Sequence, residues 1–353
     1  MRTGLAAGHS LTIEELDTAA DLTGPIAAMR ELDRERVPED APMSDADYTR
    51  RLRLAMPPDA RVYRWIARDA SGEVLGYARL DLEEADNEHL GFCSVGVVPR
   101  RRRTGVGSRL LGEVSARTGA EGRTTLVGTT VDRVPSGAAF AAALGAKRGL
   151  DLKTSQLDLR AVDRSWLEAT RATAEQKARG YTLVRVPQPT PEELLEPLCA
   201  AFSVMNDAPR GEIAFTDEIW TPQRIRDRDE FFQRAERTRW TLLAMHAATG
   251  ETVGYTEVVE MPETPAVLQQ YGTAVAPAHR GHRIGMWLKS TALGQVLADR
   301  PGALFVRTGN ATTNDAMLRI NEELGFRYAW TMSFWQSDVA ALRTRLAPPS
   351  GRS

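Results

Sequence analysis

The chain repeats itself at a fixed distance, and that limits what it can fold into. Val97-Val98-Pro99-Arg100-Arg101-Arg102-Arg103-Thr104-Gly105-Val106-Gly107 is answered by Val275-Ala276-Pro277-Ala278-His279-Arg280-Gly281-His282-Arg283-Ile284-Gly285, with Pro277 lying 178 residues after Pro99. Upstream, Gly72-Glu73-Val74-Leu75-Gly76-Tyr77 and Gly250-Glu251-Thr252-Val253-Gly254-Tyr255 stand at the same 178-residue offset. Leu144-Gly145-Ala146 and Leu324-Gly325-Phe326 follow in the same order, two residues further apart. One spacing shared by several motifs means two copies of one folding unit. A period this long belongs to domains rather than to stacked repeats. At 353 residues, each half is long enough for its own core.

Both copies show the same order of elements. In the first, apolar spacing and turn residues predict helices at 22–36 and 45–54, a strand pair at 62–68 and 73–82, and a strand at 89–98. A helix after Gly105 (Val106, Leu110, Leu111 and Val114 on one face), a strand at 124–131, a helix at 136–144 and closing strands at 146–159 follow. The second copy predicts helices at 191–205 and 222–237, a hairpin at 240–247 and 252–259, and a strand at 269–276. Ile284, Trp287, Leu288 and Ala292 then line one helix face, before a strand at 304–308, a helix at 314–324 and a last strand at 327–334. The expected fold class is α/β with a mixed sheet (α+β): two tandem domains, each a central mixed β-sheet flanked by helices. We place them at 1–160 and 181–345, joined by an exposed linking helix within 161–180 and followed by a disordered tail at 346–353.

Bulk properties remove several functions. A net charge of −2 gives no global attraction to nucleic acid or anionic membrane. The lone basic run, Arg100–Arg103, is short and sits inside a folded unit, so no nucleic-acid partner is expected. No apolar run approaches a membrane span and no secretory leader opens the chain. Two cysteines, Cys93 and Cys199, at unrelated motif positions argue against a disulfide framework and fit a reducing cytoplasm. His279-x-x-His282 lacks a third ligand nearby, so no metal is expected.

The repeated motif itself has a physical meaning. A strand stopped by proline, a turn of arginine and glycine, then an amphipathic helix make a recipe for anion binding: the first helical amides have no intrahelical partners, and the macrodipole adds favourable potential. Glycine allows a close approach to a diphosphate. The pattern is not a P-loop, since neither copy ends in Gly-Lys-Ser/Thr. Val-x-Pro-x-x-Arg-x-x-Gly-x-Gly resembles the acetyl-CoA signature of the GCN5-related N-acetyltransferase (GNAT) superfamily. The doubling resembles its tandem type, laid out as in mycothiol synthase.

The resemblance implies that Val95, Val97, Thr273 and Val275 bond a pantetheine arm through backbone groups. It implies that the diphosphate is cradled by Arg102, Arg103, Thr104, Gly105, Val106 and Gly107 in one copy. In the other the cradle is Arg280, Gly281, His282, Arg283, Ile284 and Gly285, with Arg283 where the first glycine is expected. Asn314 either binds the pantetheine or caps the helix that follows. The cosubstrate would be acetyl-CoA or another acyl-CoA, and the acceptor a small-molecule or peptide amine. The protein would be monomeric, as a pseudo-dimer, or a homodimer.

Acetyl transfer needs a neutral amine, and a lysine-like amine of pKa about 10.4 costs roughly 4–5 kcal/mol to deprotonate at pH 7. A strand carboxylate can take that proton. Glu257 is the expected base; Glu260, on the opposite strand face, is a second candidate. Shifted by 178, they correspond to Arg79 and Leu82, so the second copy is the expected catalytic one. The tyrosine that the superfamily often uses as general acid is replaced by Asn321, and by Phe140 in the first copy. Tyr271 is the remaining candidate to protonate the thiolate. A non-catalytic acyl-CoA sensor or scaffold is the alternative.

Overall fold

The computed structural model describes residues 11–54 and 60–347. The chain opens with β1 (Thr12–Glu15), α1 (Thr23–Arg36), α2 (Asp45–Arg53), β2 (Arg61–Arg68), β3 (Val74–Leu82) and β4 (Leu90–Val97). Next come α3 (Val106–Ala120), β5 (Thr125–Val131), α4 (Pro135–Ala143), β6 (Lys147–Asp158), α5 (Arg164–Lys177) and β7 (Tyr181–Val186). After these run α6 (Glu192–Ser203), α7 (Pro222–Arg234), β8 (Thr238–His246), β9 (Thr252–Glu260) and β10 (Val267–Val275). It finishes with α8 (Ile284–Asp299), β11 (Phe305–Ala311), α9 (Asp315–Glu323), β12 (Arg327–Asp338) and α10 (Val339–Leu346).

These elements form two compact units that interleave along the chain. The first holds residues up to Leu150, the short segment Glu212–Phe215, and everything from Met332 onward; the second holds Asp151–Gly211 and Thr216–Thr331. The first unit's strands lie in the order β1-β2-β3-β4-β5-β12, the second's in the order β7-β8-β9-β10-β11-β6. In each, all neighbours are antiparallel except one pair, β4 with β5 and β10 with β11. The mixed sheet expected for each copy is therefore present.

The strand that pairs with β5, and the one that pairs with β11, differ from the simple reading. β6, read as closing the first copy, runs its residues Asp151–Asp158 along β11. β12, read as the last strand of the second copy, runs Met332–Asp338 along β5, and Trp335 Nε1 donates to Thr130 Oγ1 at 2.9 Å. α10 then buries Val339 and Leu342 among Leu110, Leu111 and Val114 of α3. β1, β7 and α10 are absent from the sequence reading; two are very short strands and α10 carries only two buried positions.

The helix within 161–180 is not an exposed link. Asp163 caps it by accepting the Ser165 and Trp166 amides at 2.8 and 3.1 Å, and it buries Leu167, Ala174 and Ala178 with α8. Residues 348–353 of the expected tail lie outside the described residues.

Each sheet is covered on both faces. In the second unit α8 and α5 close one side with Trp240, Val258 and Val306, while α6 and α7 close the other with Leu243 and Tyr255. The first unit repeats this, with α3 over Ala78 and Leu80, and α1 and α2 over Ile66 and Tyr77. The repeated Gly-Tyr pairs have a steric cause. A Cβ on Gly76 would stand 2.8 Å from the Gly96 carbonyl oxygen, and one on Gly254 2.5 Å from that of Ala274. Only glycine lets those strands approach so closely.

Candidate functional site

In each unit the parallel strands part company. β4 pairs with β5 from Leu90 to Cys93 but continues to Val97 beside β3 only; β10 pairs with β11 from Val267 to Gln270 but continues to Val275 beside β9 only. A bulge between Gln270 and Thr273 bends the second of these strands against β9. The Val98 amide bonds the Leu75 carbonyl at 3.0 Å, and the Ala276 amide bonds that of Val253 at 2.8 Å. Backbone groups alternate in direction along a strand, so Val95, Val97, Thr273 and Val275 turn theirs the other way, into the opening. That is the arrangement expected for receiving an amide-bearing arm.

At the mouth of each opening lies the arginine–glycine turn. The first helical bonds of α3 and α8 are Arg109 to Gly105 at 3.1 Å and Trp287 to Arg283 at 3.0 Å. Ahead of them, the amides of 103–108 and 281–286 find no acceptor among the described residues. Two positions in each turn are left-handed: Arg103 at φ +64° and Gly105 at +89°, Gly281 at +87° and Arg283 at +62°. Positions 103 and 281 correspond, as do 105 and 283, so each turn holds one glycine and one arginine in exchanged places. The glycine missing at 283 is supplied at 281, a compensation visible in the alignment of the two motifs. Arg283 also places Nη1 3.1 Å from Glu323 Oε2.

The conserved-spacing arginines organise the turn from within. Arg102 Nε donates to the Val97 carbonyl at 3.1 Å and Nη1 to Glu35 Oε1 at 2.7 Å, while Arg280 Nε donates to the Val275 carbonyl at 2.9 Å. Thr104 donates its hydroxyl to the Arg101 carbonyl, and the His282 ring packs against Tyr181 at 5.7 Å. Val106 and Ile284 are buried as the first apolar anchors of their helices. Gly285 serves packing, since a Cβ there would lie 3.2 Å from Ile320, whereas one on Gly107 would make ordinary contacts with Val97 and Phe140 at 3.5 and 3.6 Å.

On the α6–α7 face of the second sheet sits a charged cluster. Glu257, 2% exposed, is paired with Arg228 from α7 and accepts the Thr241 hydroxyl at 2.8 Å. The Arg228 guanidinium lies over both Phe202 and Phe232, and Arg239 bonds Asp229 and Thr190 at 2.7 Å. Burial pushes the Glu257 carboxyl up, but Arg228 and Arg239 outweigh it and hold it below the usual carboxylate range. Tyr271 faces the same cluster. Burial raises its phenol above the ordinary value; Arg237 and Arg228 oppose this, Glu257 and Glu263 add to it. The Tyr255 hydroxyl adjoins the bulge, since a Cβ on Gly272 would overlap it. Glu260 does not join them: it pairs with Arg300 at 2.6 Å.

Sequence reasoning missed Glu263. It lies in the turn between β9 and β10, 8% exposed, with neither carboxylate oxygen hydrogen-bonded and the neighbouring Thr264 hydroxyl equally unbonded. All three atoms are buried, so this turn holds polar groups at a cost ordinarily avoided. A carboxylate between two prolines, Pro262 and Pro265, was the only signal in the chain.

The acetyltransferase (GNAT) family pattern matches residues 26–146 and 205–326, once in each copy. The chain belongs to the GNAT family. No curated protein matches it. Among solved structures it is similar to a tandem GNAT protein from the clavulanic acid biosynthesis pathway, at 28% identity and a TM-score of 0.73, covering 94% of this chain and 99% of that one. A GCN5-related N-acetyltransferase from Sphaerobacter thermophilus shares the fold at 14% identity and TM-score 0.66, covering 93% and 96%. A glucosamine N-acetyltransferase region of a fungal multi-domain β-N-acetylglucosaminidase does so at 12% and 0.66, covering 94% of this chain and 38% of that chain.

The remaining candidate positions have partners close by. Asn314 caps α9, accepting the Met317 amide at 3.2 Å. Asn321 is 1% exposed and donates to Asn310 Oδ1 at 2.7 Å, a buried amide pair without an ionisable hydroxyl. Burial pushes the Cys93 thiol up to about 12, which leaves it without nucleophilic thiolate at neutral pH. Among the described residues no group of three or more His, Cys, Asp or Glu could hold a metal, and no helix is long and apolar enough to cross a membrane.

Proposed function

We propose that this GNAT protein is an acyl-CoA-dependent N-acyltransferase that transfers its acyl group directly to a small amine, with the chemistry in the second unit. The observation that carries the reading is the diverging β10–β11 pair with uncommitted amides at its mouth, repeated at β4–β5. Amides 281–286 would receive a diphosphate and the edge of Thr273–Val275 a pantetheine arm. The bulge at Tyr271–Gly272 would present a backbone amide to the oxyanion.

Roles on the opposite face follow from which lone pairs are spoken for. Glu257 has both oxygens engaged and acts as a positioning residue, holding Arg228 and with it α7 against the sheet. Glu263 has both oxygens uncommitted and shares the surroundings of Tyr271; it takes the acceptor's proton. Tyr271, with its raised phenol, keeps its proton through the neutral range, as a hydrogen-bond donor to the leaving sulfur must.

The test is thiol release from acetyl-CoA in the presence of a panel of small amines. Amine-dependent thiol release supports the reading. Tight CoA binding with no thiol release for any amine, from acetyl-CoA or from succinyl-CoA, returns the sensor alternative, and no CoA binding removes both.

A further inference from the structure

Beneath the point where β10 and β11 separate lies a group that the reaction above does not use. Lys289, on α8, is 2% exposed. It lines a narrow cavity with Gln270, Val258, Leu293, Val306 and Phe326, whose free space of about 10 Å³ is that of one water, so a larger group enters only by displacing side chains. The ammonium nitrogen stands 5.3 Å from the Phe326 ring centre, and among the described residues it takes no hydrogen bond or ion pair. An unpaired amine in an apolar enclosure is a costly arrangement. The fold does not require it, because Leu111 fills the corresponding place in the first unit.

The cavity's position says what it is for. Gln270 and Thr308 are the last paired residues before the strands diverge. Gln270 is shared between the two spaces: its side chain lines the cavity, while its amide nitrogen donates to the Glu257 carbonyl at 2.7 Å and reaches Thr273 Oγ1 at 3.4 Å. An acyl chain attached to an arm lying along Thr273–Val275 would enter towards this vertex. The end of that chain would meet Lys289.

We propose that the second unit selects an acyl group ending in a carboxylate, a dicarboxylic acyl-CoA, whose free carboxylate pairs with Lys289. This rests on the acyl-CoA reading above and adds the class of acyl donor. The missing counter-charge is supplied by the ligand, and the apolar lining makes the pair strong once water is excluded. Burial alone lowers the free amine to about 7, with no charged neighbour contributing, which agrees with a site waiting for an anion.

The experiment is calorimetric titration of the full chain with CoA, butyryl-CoA and succinyl-CoA; the last two share a four-carbon acyl chain and differ by one carboxylate. At the second unit's site, succinyl-CoA is expected to bind at least about tenfold tighter than butyryl-CoA, roughly the worth of one charge-assisted contact. Lys289→Met should abolish that preference while keeping butyryl-CoA binding. Wild-type protein without preference, or a variant that retains it, overturns the proposal. A wild-type comparison guards against a variant that fails to fold: the preference should shrink between pH 6 and pH 9, as the amine loses its proton. CoA binding with no succinyl preference sinks this proposal alone, whereas failure of CoA itself to bind sinks the acyl-CoA reading with it.

Discussion

The two units share a backbone and differ in where they bury charge. Both have the diverging strands, the left-handed positions in the turn and the close glycine contact at 76 and 254. The second carries Glu257, Glu263 and Lys289, all buried; the first has Arg79, Ala85 and Leu111 in their places. Arg79 satisfies itself within its own strand, with Nε 2.8 and 2.9 Å from the Asp81 oxygens. Even the outer contact of the turn differs. Arg101 reaches Asp69 at 3.3 Å, whereas His279 stands 3.8 Å from Glu251 and bonds the Tyr181 hydroxyl at 3.0 Å. Duplication kept what the backbone needs and let the ionisable groups diverge, which is why we place the chemistry in the second unit.

The largest expected effect would break the comparison outright. Glu263→Gln should lower kcat/KM about a hundredfold, the lower range for losing a general base. Asp81→Asn in the first unit should leave turnover unchanged. Equal losses in both variants would mean that the units share the work.

Next comes stability. Glu257→Gln strands Arg228 in a mostly buried place and should cost about 3 kcal/mol in urea unfolding. Asp81→Asn, at a more exposed pair, should cost about 1 kcal/mol or less. A Glu257→Gln protein as stable as the wild type, yet inactive, would restore Glu257 as the base.

A pH-dependent difference sharpens the contrast at α8. The Lys289 amine sits at about 7 in the folded chain against 10.5 unfolded, so the unfolded state binds the extra proton between those values. Stability therefore rises as pH climbs from about 7 towards 10.5, and the penalty is fully present below 7. Lys289→Met should raise Tm most at pH 6 and least near pH 10; Leu111→Met should show no such trend. A pH-independent difference would mean that the amine is not held in an apolar enclosure.

The smallest effects lie in the turns. Arg103→Gly should stabilise by about 1 kcal/mol, by removing a left-handed non-glycine residue. Arg283→Gly should gain a few tenths less, because it also loses the half-exposed Glu323 pair. Melting curves of the two variants decide whether the exchanged glycine and arginine are equivalent.

Much of this was legible in the residues. A constant offset identified the duplication, and Pro99 and Pro277 marked where each strand ends and its turn begins. The strand exchange was not legible: nothing local in β6 or β12 tells either strand which sheet edge to join. The Glu257–Arg228 pair spans 29 residues and has no sequence signature. Lys289 had one. α8 carries it as the lone charge before Asp299, in a first half that is otherwise apolar or small and is buried from Ile284 to Ser290. The sequence reading named only Ile284, Trp287, Leu288 and Ala292 on this helix, whereas Lys289 lies against the sheet beside Val258, Gln270 and Val306.

The crossing of β6 and β12 also sets a schedule for synthesis. Residues 332–338 must leave the ribosome before β5 gains its outer neighbour, so the first half to be translated is among the last to be finished. Until then β5 is an unpaired edge open to strand addition from another molecule. A gene split between the copies would freeze both products at that unfinished stage.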